Sequence, residues 1–167
     1  MRSTTCVLAL LGLASVATAS VALVATASTD LSTNQPCASS SATHGTTCAQ
    51  ALNGDTNRNH PYQLHTQYGD QWVRVLLKAS TTNPKVTFYA RNCCSSNTGP
   101  TMRMFIGATD DLSKATFCGK ITGIADSTTN VASCTGTGKY VWLRTDGSKT
   151  LQVPEFKVEG VPATLIA

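Results

Sequence analysis

The chain has 167 residues, 13 of them basic and 9 acidic, a formal charge of +4, and only 13% of its residues are charged. The basic residues are scattered rather than gathered into a stripe, which excludes nucleic acid as a partner, because phosphate binding needs a concentrated basic footprint. Without a leader, about 140 residues remain, room for one domain with one hydrophobic core and not for two.

The first element is that leader. Met1 and Arg2 precede the apolar run "CVLALLGLASVA", and small-residue exits follow at "ATAS" (17–20) and again at "ATAS" (25–28). The order predicts a secretory signal over 1–19, or to 27, and an extracellular, secreted protein. A retained membrane anchor is the alternative, since "SVALVATA" prolongs the apolar run, but Ala, Ser and Thr dilute the hydrophobicity that a span of about 20 residues demands. Residues 20–49 are rich in Ser, Thr and Ala and read as a leader or long loop held by Cys37 and Cys48. The domain proper is expected over 50–167.

Short β-type runs follow: "QWVRVLL" (71–77), "KVTFYA" (85–90), "TMRMFIG" (101–107), "CGKITGI" (118–124), "KYVWLRT" (139–145), "TLQV" (150–153) and "EFKVEG" (155–160). Several alternate apolar with polar, turn sequences such as "TTNP", "NTGP" and "TDGS" separate them, and no run has a helical period. This spacing predicts an all-β antiparallel sandwich or jelly roll. Trp72 and Trp142 fall within strands and are expected in the packing.

Six cysteines lie beyond the leader: Cys37, Cys48, Cys93, Cys94, Cys118 and Cys134. An even number in a secreted chain reads as three disulfides, which six cysteines can form in 15 ways. Zinc is the alternative, but no Cys-x-x-Cys pair or histidine cluster supports it. A bond between the neighbours Cys93 and Cys94 would be strained, because adjacent Cα atoms sit about 3.8 Å apart, below the usual disulfide span. Catalysis has no support: there is no Gly-x-Ser-x-Gly, and three histidines crowded between 44 and 65 do not make a triad.

Several motifs occur in order: "ALNGD" (51–55), His65-Thr66 ahead of Trp72 with Arg74-Val75, "ARNCC" (90–94), Cys118-Gly119, "GKYV" (138–141) and "EFKV" (155–158). Together they resemble the F-type lectins, the fucose-binding family with a discoidin-like jelly roll. The resemblance covers roughly residues 50–160 and implies an eight-stranded fold that recognises a carbohydrate without altering it. It also implies Cys93–Cys94 and Cys118–Cys134 bridges, which leaves Cys37 for Cys48. The family's third bridge is absent, because Gln63 and Pro154 stand at its positions.

By the same resemblance His65, Arg91, Cys93, Cys94 and Asn97 form the sugar site, the sulfurs serving as a platform. Asn92 replaces the family's Asp and Asn97 its second cation, so the cationic fork is reduced to one prong, with Arg103 as a candidate substitute. A structural calcium ion is expected on Asn53, Asp55 and Glu155, completed by carbonyls of Gln50, Tyr62 and Pro154; a hard cation takes about 6–8 oxygens. Partners would be glycans, fucosylated ones included, with membranes met only through glycoconjugates or an uncut leader. Weak single sites imply homo-oligomers or multivalent glycans. The rival reading is a non-sugar adhesion module on the same fold, binding protein or phospholipid.

Overall fold

The computed structural model describes residues 27–59 and 62–163; the expected leader cut at 19 or 27 falls almost wholly outside them. Among the described residues are eleven strands: β1 (Thr29–Asp30), β2 (Cys37–Ser39), β3 (Leu64–Gly69), β4 (Trp72–Thr82), β5 (Lys85–Tyr89), β6 (Thr101–Gly107), β7 (Thr116–Thr122), β8 (Thr129–Ser133), β9 (Thr137–Thr145), β10 (Lys149–Val153) and β11 (Glu155–Gly160). Every pairing between them is antiparallel. One sheet runs β1-β11-β5-β8, a second β2-β4-β9-β6-β7, and β10 with β3 forms a separate pair. This is the antiparallel β-sandwich that the strand spacing predicts.

Alternation along the strands builds the core. Val73, Val75 and Leu77 of β4, Met102, Met104 and Ile106 of β6, and Val141 and Leu143 of β9 are buried from one layer. Val86 and Phe88 of β5 and Phe156 and Val158 of β11 are buried from the other, all in one cluster. Side chains two apart share a face of a strand, so Trp142, between Val141 and Leu143, points away from that cluster. It is 1% exposed nonetheless, with the Tyr140 ring 5.9 Å away. The strands of this layer approach closely where Gly138 meets Gly107: a Cβ at Gly138 would lie 2.5 Å from the Gly107 carbonyl oxygen.

The reading of 20–49 as a leader or loop is corrected from residue 29 onward. β1 extends β11 and β2 extends β4, and the Cys37–Cys48 disulfide closes the loop behind β2. Buried Leu31 and Ser32 lie between them, and the Ser32 hydroxyl accepts from the Val158 N–H at 2.8 Å. Few large apolar residues mark this stretch because its strands are two- and three-residue edges. The second disulfide is Cys118–Cys134, joining β7 to the end of β8.

Candidate sugar-binding site and cation loop

One end of the sandwich gathers the histidine and the arginine. Arg91 follows β5, and its Nη1 donates to Gln152 Oε1 at 2.9 Å. Gln152 of β10 is the cross-strand partner of His65 on β3, so strand register places the guanidinium and the imidazole in the same neighbourhood. Two buried polar atoms there have no hydrogen-bond partner, Arg91 Nε and Gln63 Oε1. Gln63 lies two before His65 on the same side of the strand, with its Nε2 3.0 Å from His65 Nε2.

His65 is only 7% exposed. The disulfide-closed loop covers it: the Thr43 N–H donates to the His65 carbonyl at 2.8 Å, the His65 N–H donates to Thr46 Oγ1 at 3.0 Å, and the His44 ring stands edge-on to the His65 ring at 5.5 Å. His44 is exposed. Arg91 and His44 are thus more exposed than His65. Sequence reasoning passed over His44 because it lies in a Ser/Thr-rich stretch without strand pattern; its approach to His65 depends on the disulfide and on β2 docking to β4.

Cys93 and Cys94 are both exposed and their sulfurs lie 2.9 Å apart, within reach of the expected bridge. Cys94 takes a left-handed φ of 62°, turning the chain into the 3₁₀ turn Ser95–Asn97. Asp126 fixes this turn by accepting the Ser95 N–H at 2.7 Å, and the same bond keeps its carboxyl below the usual range, with Arg91 contributing at longer reach.

Asn97 is exposed on that turn, its N–H donating to the Cys94 carbonyl at 3.0 Å. Asn92 is bonded to Asn59. Arg103 does not serve as the second prong, because its charge faces Asp146, 3.6 Å away, on a strand flanked by Lys120 and Arg144. The groups that hold Arg91 are instead Gln152 and, through the field alone, Asp126. Neither is visible from local sequence, since Gln152 is 61 residues from Arg91.

The other expected site lies under the loop after the 3₁₀ turn Cys48–Ala51. Glu155 is fully buried; its Oε2 accepts the Gly54 N–H at 3.2 Å and its Oε1 has no partner. Burial pushes its pKa up to about 8, the Gly54 bond opposes this, and the negative charges of Asp30 and Asp55 add to the rise. Asn53 Oδ1 and Asp55 Oδ1 each accept a backbone N–H two residues on, at 2.8 Å, and Gln50 Oε1 accepts the Thr47 N–H at 2.7 Å. Tyr62 is exposed, and buried Pro154 adjoins Glu155. Asp30, unmarked in the sequence, accepts from Ser32 and Thr33 through both oxygens. Among the described residues no three His, Cys, Asp or Glu side chains gather closely enough to hold a metal. A cation here would rest on carbonyl oxygens together with Glu155, and the buried, unpartnered Oε1 suits a hard ion.

No protein-family model and no curated protein sequence matches the chain. Solved structures do. The F-lectin (fucolectin) from the serum of striped bass, Morone saxatilis, superposes with a TM-score of 0.70 at 21% identity, covering 80% of this chain and 47% of that one. This chain thus spans about half the length of the bass lectin. A Streptococcus pneumoniae fucose binding module gives 0.63 at 17% identity, over 78% of this chain and 96% of the module. The family 32 CBM of C. perfringens NanJ in complex with galactose gives 0.63 at 12%, over 80% and 99%. The fold is that of the F-type lectins and related galactose-binding-like modules.

Proposed function

We propose that this chain is a secreted carbohydrate-binding protein that takes a fucose-type or galactose-type sugar at Arg91 and changes no bond in it. The observation that carries the reading is the Arg91 guanidinium, partly exposed and held by Gln152, the cross-strand partner of His65. A partly exposed guanidinium can donate to a sugar hydroxyl, and a charged hydrogen bond contributes about 1.5–3 kcal/mol. His44, edge-on to His65, offers a second polar contact, and the exposed sulfurs of Cys93 and Cys94 offer a polarizable surface to C–H groups. The solved structures with this fold named above are a lectin and sugar-binding modules, and the two disulfides accord with an oxidising, extracellular setting.

Calcium belongs to the same proposal as a structural ion. Glu155 with Asn53, Asp55 and the carbonyls of Gln50, Tyr62 and Pro154 would hold it, and its charge would let Glu155 ionise while buried. It would fasten the 51–55 loop to β11, where Gln63 and Pro154 replace a covalent link. Glycans are the partners, and homo-oligomers or multivalent surfaces supply the strength that one shallow site lacks.

A glycan array followed by titration calorimetry tests the reading. Binding to a terminal fucose or galactose, lost at least tenfold in Arg91→Ala, is expected. An array without any sugar signal, from protein shown to be folded, would sink it. The adhesion-module reading rests on one observation, that Asn92 is tied to Asn59 and supplies no carboxylate to Arg91; vesicle or protein binding unaffected by Arg91→Ala would favour it instead.

A further inference from the structure

Toward its end, β4 leaves the ladder it forms with β9. Leu76 is aligned with Tyr140 and Thr81 with Gly138, so Leu77, Lys78, Ala79 and Ser80 stand opposite Lys139 alone. Extra residues in one strand bend it out of the sheet and re-aim its side chains. The flared segment is fixed by backbone on both sides: the Lys78 N–H donates to the Leu31 carbonyl at 2.9 Å, and the Ala163 N–H donates to the Ser80 carbonyl at 2.7 Å. Thr81, next along the strand, bridges to Pro162 and donates through Oγ1 to the Val161 carbonyl at 2.9 Å. Between the flare and β9 lies a cavity of about 340 Å³, lined by Lys78, Ala79, Ser80, Lys139 and Ala163.

Apart from its two lysines this lining is small, which leaves the space open, and it holds no carboxylate. Lys78 and Lys139 are exposed, and neither forms an ion pair among the described residues. Lys78 Nζ reaches the Asp30 carbonyl at 3.4 Å. The carboxylates of Asp30 and of its strand partner Glu159 are engaged elsewhere, Asp30 by the Ser32 and Thr33 N–H groups and Glu159 by Lys85 Nζ at 2.6 Å. An ammonium on a flexible stem is a compact point charge that meets a tetrahedral oxyanion from any side. The Ser80 hydroxyl can add a donor, and the volume falls in the range of small-ligand sites, about 300–1,000 Å³. We infer that this cavity is a second ligand site, one for a small molecule bearing a sulfate or phosphate ester. None of its lining residues belongs to the Arg91 site or to the cation loop, so it stands independently of the sugar-binding reading.

Titration calorimetry of the full protein at low ionic strength with glucose 6-sulfate, glucose 6-phosphate and unmodified glucose tests it. An ester is expected to bind where glucose does not, and the tighter of the two names the head group. Lys78→Gln and Lys139→Gln are each expected to weaken that binding about fivefold, as befits charges in contact with water. Lys114→Gln, which removes the same charge from an exposed position outside the cavity, is expected to leave it unchanged, with melting curves confirming that all three variants fold. Failure of both esters to bind the folded protein overturns the site, as does glucose binding as tightly as they do. Ester binding that survives in the variant lacking both cavity lysines, or that falls as far in Lys114→Gln, overturns it as well.

Discussion

In the proposed reading Arg91 is the charge on which sugar recognition turns, and its side chain is held by the amide of Gln152 rather than by a carboxylate. Gln152→Ala should leave the guanidinium unclamped and weaken sugar binding about five- to tenfold by calorimetry, less than Arg91→Ala itself, since a neutral partner contributes about 1 kcal/mol. His44→Ala should weaken it by a similar factor. Glu155 makes a prediction of opposite kind. Its pKa of about 8 lies above the ordinary 4.5, so the folded state holds the proton more tightly than the unfolded chain. In metal-free protein that stabilisation is full below pH 4.5 and is lost as pH rises through 8. Melting temperature followed against pH in EDTA should fall across this window, and excess calcium should flatten the fall; a flat profile in EDTA would contradict the assignment.

Among the elements, the edges matter as much as the core. The Cys37–Cys48 link anchors β2 and the loop that carries Thr43, His44 and Thr46 over His65. Replacing both cysteines by Ser should cost about 2–4 kcal/mol in urea denaturation and also lower sugar affinity, because the covering loop loses its tether. Gly138→Ala should cost about 1–3 kcal/mol, the added methyl meeting the Gly107 carbonyl with no space to yield. The element reading was strongest for β4, β5, β6 and β9, whose inner residues alternate with polar ones. It missed β8, because "TNVAS" is an edge strand with Val131 exposed and gives no apolar period. It missed β1 and β2 for the same reason: a strand that buries little needs little apolar sequence.

At the scale of the whole molecule, two neighbouring loop systems differ in exposure. Glu155 pairs with Tyr89, two residues before Arg91, and Asn92 is bonded to Asn59 of the loop that follows Asp55. Arg91 is partly exposed, whereas Glu155 is buried with its Oε1 unpartnered. Loss of the proposed calcium ion is expected to loosen the 51–55 loop, and hydrogen exchange with and without EDTA should show protection lost around Gly54. Among the described residues no helix is long and apolar enough to cross a membrane.

Sequence by itself determined the class of fold, because a two-residue period and turn residues are local properties that dictate which face of each strand is apolar. It also marked His65, Arg91, Asn53, Asp55 and Glu155 as residues of chemical interest. Tertiary structure alone decided their company: Gln152 on Arg91, His44 over His65, Asp126 under the turn after Cys94, and Gly54 on a carboxylate 101 residues away. These contacts follow from strand order and register, which bring together residues that no periodicity along one chain can pair. The neighbouring cysteines show the same division, for their adjacency is written in the chain, while their exposure belongs to the fold.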